Sequence, residues 1–212
     1  PEDEEPTEEQ PEPEVADTPE EIEEVVGPDV ELPDSANVTR AERNNVTVDP
    51  ETNQSRVTFS NKSATESISF EETTDGSTTV VELDQAPEET GDPPGQSVSV
   101  SQISVPEEAQ DSAATITQSV ARERVENIEA EPDDLTVTRF NDEAGEWQTL
   151  ETSVLVTTDQ RVRLEAETPG FSYFAVTAID EPTAALDAPA EVRVGEEVTF
   201  DASGSTDNDS TI

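Results

Sequence analysis

The chain has 212 residues, of which 53 are acidic and 10 are basic, giving a net charge of −43 at neutral pH. It contains neither cysteine nor histidine, which excludes disulfides, zinc sites built from thiolate and imidazole, and Ser-His-Asp or Cys-His catalytic sets. Contacts with phosphate groups need a basic surface, so the charge also argues against binding to nucleic acid and against docking on an anionic membrane.

High charge combined with only 30% hydrophobic residues is typical of intrinsic disorder. Here, however, acidic residues also lie within segments patterned as strands. The Debye length falls from about 8 Å in 0.15 M salt to about 3 Å in 1 M salt, so concentrated brine screens most of the self-repulsion. We therefore expect residues 36–212 to be folded in a protein adapted to high salt.

Residues 1–35 carry 16 acidic side chains, no basic ones and seven prolines. Proline interrupts helices and the carboxylates repel one another, so we predict an extended, disordered acidic linker. A short amphipathic interaction motif around Ile22, Val25 and Val26 is the alternative.

From residue 36 onward, apolar and polar residues alternate, which predicts strands with one buried face. The alternating pairs and runs are Val46 and Val48, Val57 and Phe59, Ile68 and Phe70, "TTVVEL", and "SVSVSQISV" from Val98 to Val105. The step from Val100 to Ile103 breaks the period of two and predicts a bulge there. Turn-forming segments separate these runs, and the pattern favours an all-β sandwich.

The second half continues the pattern. "VARERVENI" (120–128) fits either a helix or a strand followed by a loop. Three strand-like segments follow, "LTVTRF" (135–140), "GEWQTLETSVLV" (145–156) and "RVRLEAE" (161–167), and Gly145 marks a hairpin turn between the first two.

Three of the eight aromatic residues, Phe171, Tyr173 and Phe174, lie within "ETPGFSYFAV" (167–176), directly after a Pro-Gly turn. Strand geometry predicts Phe171 and Tyr173 on one face and Phe174 and Val176 on the other. Because each buried aromatic removes about 150–250 Å² from water, we interpret the cluster as the core of an apolar-poor domain. A ligand-binding platform is the alternative.

The segment "LTVTRFNDEAGEWQTLETSV…RVRLEAETPGFSYFAV" resembles the C-terminal half of the PGF-pre-PGF domain, a family found in surface proteins of archaea, especially halophiles. The matching positions are Phe140, Asn141, Asp142, Gly145, Glu146, Trp147, Pro169, Gly170, Phe171, Ser172, Phe174 and Ala175. The resemblance is close over residues 135–178 and loose before them. It implies an Ig-like β-sandwich over residues 36–179 on an archaeal cell surface.

Residues 180–212 resemble the start of a PKD domain, an Ig-like sandwich repeat of surface proteins. The matching positions are Pro182, Ala184, Gly195, Val198, Phe200, Asp201, Ala202, Ser203, Ser205, Asp207 and Asp209. The family's Trp-x-Phe-Gly-Asp-Gly strand is missing, so we expect only the first strands of a second sandwich. Such a half-domain buries little, and we predict poor packing of Val198 and Phe200.

Two kinds of site stand out. Asp201, Asp207 and Asp209 offer carboxylate oxygens of the kind that Ca²⁺ prefers, and the resemblance to PKD domains makes a calcium site conceivable; an ordinary polar turn is the alternative. The N-x-[ST] pattern for N-glycosylation occurs at five of the eight asparagines: Asn37, Asn45, Asn53, Asn61 and Asn208. The first four are spaced by eight residues, which could place them on one face of a strand; coincidence in a Ser/Thr-rich chain is the alternative.

Acidic residues are so frequent that no carboxylate pair stands out as a general acid and base, and the glycines form no phosphate-binding loop. We therefore predict a non-catalytic structural or adhesive protein on the surface of a halophilic archaeon, facing the cell envelope or other surface proteins. An accessory spacer or substrate-holding region of a secreted hydrolase is the second hypothesis, and a ligand-sensing ectodomain ranks last. No cofactor other than Ca²⁺ is expected, and no insertion of these residues into a membrane.

Overall fold

The computed structural model describes residues 11–28, 30–179, 184–187 and 198–205. In this part of the chain, thirteen strands and two short α-helices follow one another. The strands are β1 (Glu14–Ala16), β2 (Val38–Asn45), β3 (Thr47–Val48), β4 (Ser55–Thr58), β5 (Thr65–Phe70), β6 (Ser77–Leu83), β7 (Gln96–Ser104), β8 (Ala114–Ala121), β9 (Leu135–Asn141), β10 (Glu146–Thr149), β11 (Thr152–Thr157), β12 (Arg161–Thr168) and β13 (Tyr173–Ala178). The helices are α1 (Pro19–Val26) and α2 (Arg122–Asn127).

The strands form two antiparallel sheets. Sheet A has the order β1-β2-β6-β7-β13-β9-β10, and sheet B has the order β11-β12-β8-β5-β4-β3. One cluster of buried side chains lies between them, with Val80, Ile103 and Phe174 from sheet A and Ile68 and Ile116 from sheet B. The predicted all-β sandwich is confirmed.

The predicted aromatic core lies at the centre of this cluster. Phe171 is buried between Phe70 of sheet B and Phe174 of sheet A, with ring centroids 5.7 and 6.4 Å apart. The predicted faces are wrong in one respect: Phe171 and Phe174 share the inner cluster, while Tyr173 packs in a second cluster on the outer face of sheet A. The reason is that Phe171 and Ser172 precede the strand, so the alternation begins only at Tyr173.

The Pro-Gly turn allows this arrangement because Gly170 lies against another loop. A Cβ at Gly170 would lie 2.8 Å from the carbonyl oxygen of Gln110, a distance that no larger residue tolerates without movement. The same Gln110 oxygen accepts a hydrogen bond from the Phe171 amide at 2.9 Å, and the Gln110 side chain donates to the Phe171 carbonyl at 2.7 Å. Glycine therefore lets the chain approach closely enough to fix Phe171 as it crosses from sheet B to sheet A.

Residues 14–26 correct the prediction of an extended linker. β1 pairs with β2 at the edge of sheet A, and α1 places Ile22 and Val26 against the outer face of that sheet. Pro19 occupies the first turn of the helix, where its missing N–H is not needed. The apolar motif noted in the sequence is thus covered by the protein's own sheet; residues 1–10 lie outside the described residues.

The predicted irregularity in β7 is present but lies elsewhere. Val100 and Ile103 alternate regularly between the outer and inner clusters, because both faces of sheet A are covered. The register with β13 instead shifts between Val176 and Thr177, opposite Ser99 and Ser97. A bulge between Val100 and Ile103 was therefore the wrong reading of a strand that is buried on both sides.

The hairpin between β9 and β10 is confirmed, with Asn141 paired to Glu146 across the turn. Gly145 adopts a φ of 69° and donates its amide to the Asn141 carbonyl at 2.8 Å. β10 is an edge strand that carries the only tryptophan, Trp147, half-buried edge-on against Phe140 with ring centroids 5.6 Å apart. The Trp147 indole N–H donates to two carbonyl oxygens of the loop before β7, at 3.1 Å each.

In the segment 120–128, Val120 and Ala121 end strand β8, and helix α2 (Arg122–Asn127) follows directly. Of the segment resembling a PKD domain, the described residues show a single bridge between Asp187 and Asp201. Phe200 is 66% exposed, in agreement with the predicted poor packing, whereas Val198 is half-buried. The rest of that segment, with Asp207, Asn208 and Asp209, lies outside the described residues.

Candidate functional site

The four sequon asparagines within the described residues, Asn37, Asn45, Asn53 and Asn61, are all exposed. Each lies outside a strand interior: Asn37 just before β2, Asn45 at its last residue, and the other two in the turns on either side of β4. Asn53 adopts the left-handed conformation with φ of 57°, which asparagine tolerates better than most residues. Exposure outside strand interiors is what a glycan acceptor requires.

The spacing of eight residues does not place these asparagines on one face. Asn45 pairs with Ser77 at the start of β6, and the Asn53 side chain donates to Thr73 nearby, so these two lie at one end of the sandwich. Asn37 donates to Asp84, just beyond the other end of β6, at 2.7 Å. The loop that carries Asn61 hydrogen-bonds to Glu42 near the middle of β2 through Ser60, and to Glu82 near that same end of β6 through the Ala64 amide. The eight residues of β2 thus separate Asn37 from Asn45, and the short strand β4 lies between Asn53 and Asn61.

Of the three predicted calcium ligands, only Asp201 is described. Its carboxylate accepts the backbone N–H of Ser203 at 2.9 Å, and hydrogen bonds from Ser203 lower the pKa of Asp201 below its usual value. In the part of the chain that the structure covers, no group of three or more acidic side chains is arranged to hold a metal ion. Asp201 therefore closes a local turn, and the calcium prediction depends on residues outside the described ranges.

A feature that the sequence did not reveal is a cavity of about 130 Å³ at one end of the sandwich, here called the mouth cavity. Both sheets and two connecting segments line it. The lining side chains discussed below are Glu82 and Ser99 of sheet A, Ser119 and Arg161 of sheet B, Lys62 from the β4–β5 loop and Arg124 from α2.

The mouth cavity concentrates positive charge in a very acidic protein. Lys62, Arg124 and Arg161 are three of the chain's ten basic residues, and Lys62 is its only lysine. Arg161 has a distant carboxylate partner, Glu66, at 3.6 Å. A larger cleft of about 650 Å³ adjoins the cavity and shares Ser99 and Arg124 with it. Three cations at one small opening are far more than an even distribution over the surface would provide.

Glu82 is the acidic side chain of the mouth cavity, and it is largely buried. Its carboxylate accepts the backbone N–H of Ala64 at 2.8 Å. Burial raises the pKa of Glu82 above its usual value; the Ala64 hydrogen bond and the charges of Arg40 and Arg124 act in the opposite direction, and Glu42 adds to the rise. The net effect makes Glu82 easier to protonate in the folded protein than in the unfolded chain.

The raised pKa of Glu82 predicts how the stability of the protein depends on pH. Between the ordinary pKa of a glutamate and the raised pKa of Glu82, the folded state binds more protons than the unfolded state, so Glu82 makes stability fall as the pH rises. Glu82→Gln removes that dependence and keeps an oxygen for the Ala64 amide. Relative to the parent, the variant should gain stability as the pH rises through this window and keep the gain above it.

The measurement is urea unfolding followed by circular dichroism at several pH values and constant salt. Glu71→Gln, an exposed carboxylate at the end of β5, is the control, and its difference from the parent should not follow this profile. A Glu82→Gln difference that is flat with pH, or that shrinks as the pH rises, contradicts the assignment.

Sequence reasoning missed the mouth cavity because its cations come from three distant parts of the chain. Lys62, Arg124 and Arg161 share no motif, and only the pairing of β8 with β5 and β12 brings their elements together. The only sequence signal for such a site was the scarcity of basic residues. With ten cations among 53 acidic residues, the contacts of each cation can be examined individually.

No helix in the described ranges is long and apolar enough to cross a membrane. No family model, curated protein or solved structure matches this chain. Any proposal about its role therefore depends on the residues and geometry set out above.

Proposed function

We propose that residues 36–179 form a non-catalytic structural module on the surface of a halophilic archaeon, of the kind that the resemblance to the PGF-pre-PGF domain implies. The observation that carries the proposal is the position of the four sequon asparagines, which are exposed in turns or at strand ends, at both ends of the sandwich. Glycans at these places cover loops rather than sheet faces, so they solvate the ends of the module and shield them from proteases.

The charge of the chain supports the same proposal. A net charge of −43 on 212 residues is tolerable for a compact fold where concentrated counter-ions screen it. The module's role is then mechanical: a rigid sandwich spaces and orients the segments attached to it, with the cell envelope or other surface proteins as partners. Residues 180–212, which resemble the start of a PKD domain, fit a chain of such modules.

Mass spectrometry of the protein purified from a halophilic archaeal host tests the proposal. We expect glycans on Asn37, Asn45, Asn53 and Asn61, because all four are accessible and carry the acceptor pattern. Asn127, which is exposed but lacks the pattern, is the internal control and should be unmodified. Limited protease treatment of intact cells, compared with lysed cells, should release peptides of this module equally from both.

Two results would contradict the proposal. Four unmodified asparagines would remove the observation on which it depends. Peptides released only after lysis would place the protein inside the cell, whatever its modification state. A variant with Thr39, Thr47, Ser55 and Ser63 replaced by alanine keeps every asparagine but abolishes each acceptor pattern, and it should lose all four glycans.

A further inference from the structure

We propose that the mouth cavity is a binding site for a small inorganic oxyanion of the sulfate or phosphate type. The proposal concerns a different part of the molecule from the sequons, and it holds or fails independently of where the protein resides. It is built from the charge, the hydrogen-bond capacity and the size of the cavity.

The first argument is the state of the cations around the cavity. Elsewhere in the described part of the chain, Arg40 pairs with Asp17 and Glu42, and Arg122 pairs with Glu126. Arg43 and Arg56 instead donate to the hydroxyl groups of Ser77 and Ser67. Neither Lys62 nor Arg124 forms an ion pair with any described residue, and the Arg124 guanidinium donates to the Val98 carbonyl oxygen at 3.4 Å. In a protein with 53 carboxylates, two cations that converge on one cavity without such a pair are suited to an anion from solution.

The second argument is independent of charge. Ser119 lines the same cavity, is 2% exposed, and its hydroxyl has no hydrogen-bond partner within the described structure. Its backbone is satisfied separately, since the Ser119 amide donates to the Ala64 carbonyl at 2.8 Å. Buried polar groups normally have a partner. An acceptor oxygen in the cavity would supply one to this hydroxyl.

The kind of anion follows from the donors. The guanidinium groups of Arg124 and Arg161 present planar pairs of N–H groups, the Lys62 ammonium presents three, and Ser119 presents one hydroxyl. A tetrahedral oxyanion offers several acceptor oxygens in different directions and can engage more than one of these donors together. A halide is a single sphere and gains less from such a divergent set. A volume of about 130 Å³ also exceeds what one monatomic ion fills.

Glu82 couples this site to pH. The groups that face its carboxyl are Arg40 and Glu42 from β2, the Ala64 amide from the β4–β5 loop, and Arg124 from α2; Lys62 and Arg161 also line the cavity. An ionised Glu82 repels an oxyanion, whereas a protonated Glu82 can donate its O–H to one. Binding should therefore be accompanied by proton uptake and tighten as the pH falls.

The experiment is a titration of the ¹⁵N-labelled protein with sodium sulfate, followed by backbone amide shifts, with ionic strength held constant by replacing sodium chloride. We expect saturable shifts confined to residues around Ser119, Ala121 and Arg124. Arg124→Gln and Lys62→Gln should each weaken binding by roughly tenfold or more, since each removes a charge-assisted hydrogen bond. Both side chains are on the surface, and circular dichroism verifies that each variant is folded.

Arg122→Gln is the matched control, because Arg122 lies on the same helix as Arg124 but pairs with Glu126 and does not line the cavity. It should bind sulfate like the parent. Glu82→Gln should bind more tightly than the parent at neutral pH and lose the pH dependence. The constant ionic strength matters because sulfate also stabilises folded proteins generally, by exclusion from their surface.

Three results would overturn the proposal: shifts that are spread over the molecule or do not saturate, an equal loss of affinity in Arg122→Gln and Arg124→Gln, and saturable binding of chloride at the same residues with the same affinity as sulfate. Equal binding of chloride would mean that the cavity binds anions in general and does not prefer an oxyanion. Sulfate binding that tightens as the pH rises would contradict the role assigned to Glu82.

Discussion

Replacing Phe171 by alanine should lower the free energy of unfolding by about 3–5 kcal/mol, the range for removing a large buried aromatic ring. Phe171 is 1% exposed and lies between Phe70 and Phe174, one from each sheet. The chain has only eight aromatic residues, and three of them, Phe70, Phe171 and Phe174, pack against one another here. Urea unfolding followed by circular dichroism, in concentrated KCl, gives the free energy directly.

Phe200→Ala is the matched control, because it removes the same side chain from an exposed position. Its effect on the unfolding of the sandwich should be within about 0.5 kcal/mol, as for most surface substitutions. A loss below about 1 kcal/mol for Phe171→Ala, or equal losses for both variants, would mean that the two sheets are not held together through this ring.

Replacing Glu42 by alanine should cost about 3 kcal/mol, the lower end of the range for breaking a buried ion pair. Glu42 is 1% exposed. One of its oxygens accepts from the Arg40 Nε at 2.7 Å and from the Ser60 hydroxyl at 2.6 Å, and the other accepts from the Ser60 amide at 2.8 Å. The variant leaves these donors without that acceptor, while Arg40 keeps Asp17 as a partner, which limits the loss.

Two variants separate this effect from an ordinary surface charge. Glu126→Ala breaks the exposed pair with Arg122 on one helix face, and it should cost at most about 0.5 kcal/mol. Glu42→Gln keeps the shape and one acceptor oxygen but removes the charge, so it should fall between the other two. If Glu42→Ala unfolded at the same denaturant concentration as Glu126→Ala, the carboxylate would not be holding the β4–β5 loop on β2.

The strands could be predicted because apolar and polar residues alternate along a strand that has one buried and one polar face. Val57, Ile68 and Phe70 mark such strands and are buried as expected. The prediction failed where both faces of a strand are covered. In β7, Val100 faces the outer cluster and Ile103 faces the inner one. A spacing of three residues between apolar side chains indicates a bulge in a half-buried strand, but it is regular in a strand whose two faces are both buried.

Helix α1, which covers the outer face of sheet A, could not be predicted from the composition. α1 is rich in glutamate, and the prolines around it favour an extended chain. Yet Pro19 at the helix start, Gly27 at its end and the apolar pair Ile22 and Val26 four residues apart are ordinary helix signals. Local charge was given too much weight, because carboxylates on the exposed side of a helix do not oppose the burial of its other side.

The candidate sites divide in the same way. The sequons could be read from the sequence, since the acceptor pattern is local, but their arrangement at both ends depends on the pairing of β2 with β6. The mouth cavity could not be read at all. It exists only because antiparallel pairing places Lys62, Ser119 and Arg161 at the same end of the two sheets.

The edge position of Trp147 determines what an optical experiment on this protein will report. Its indole is the only strong intrinsic fluorophore of the chain, and it sits on the last strand of sheet A, bonded to the loop before β7. Its emission therefore follows the detachment of that strand and loop, whereas far-ultraviolet dichroism follows the whole sandwich. Divergence between the two signals during denaturation would reveal fraying at this edge ahead of the core.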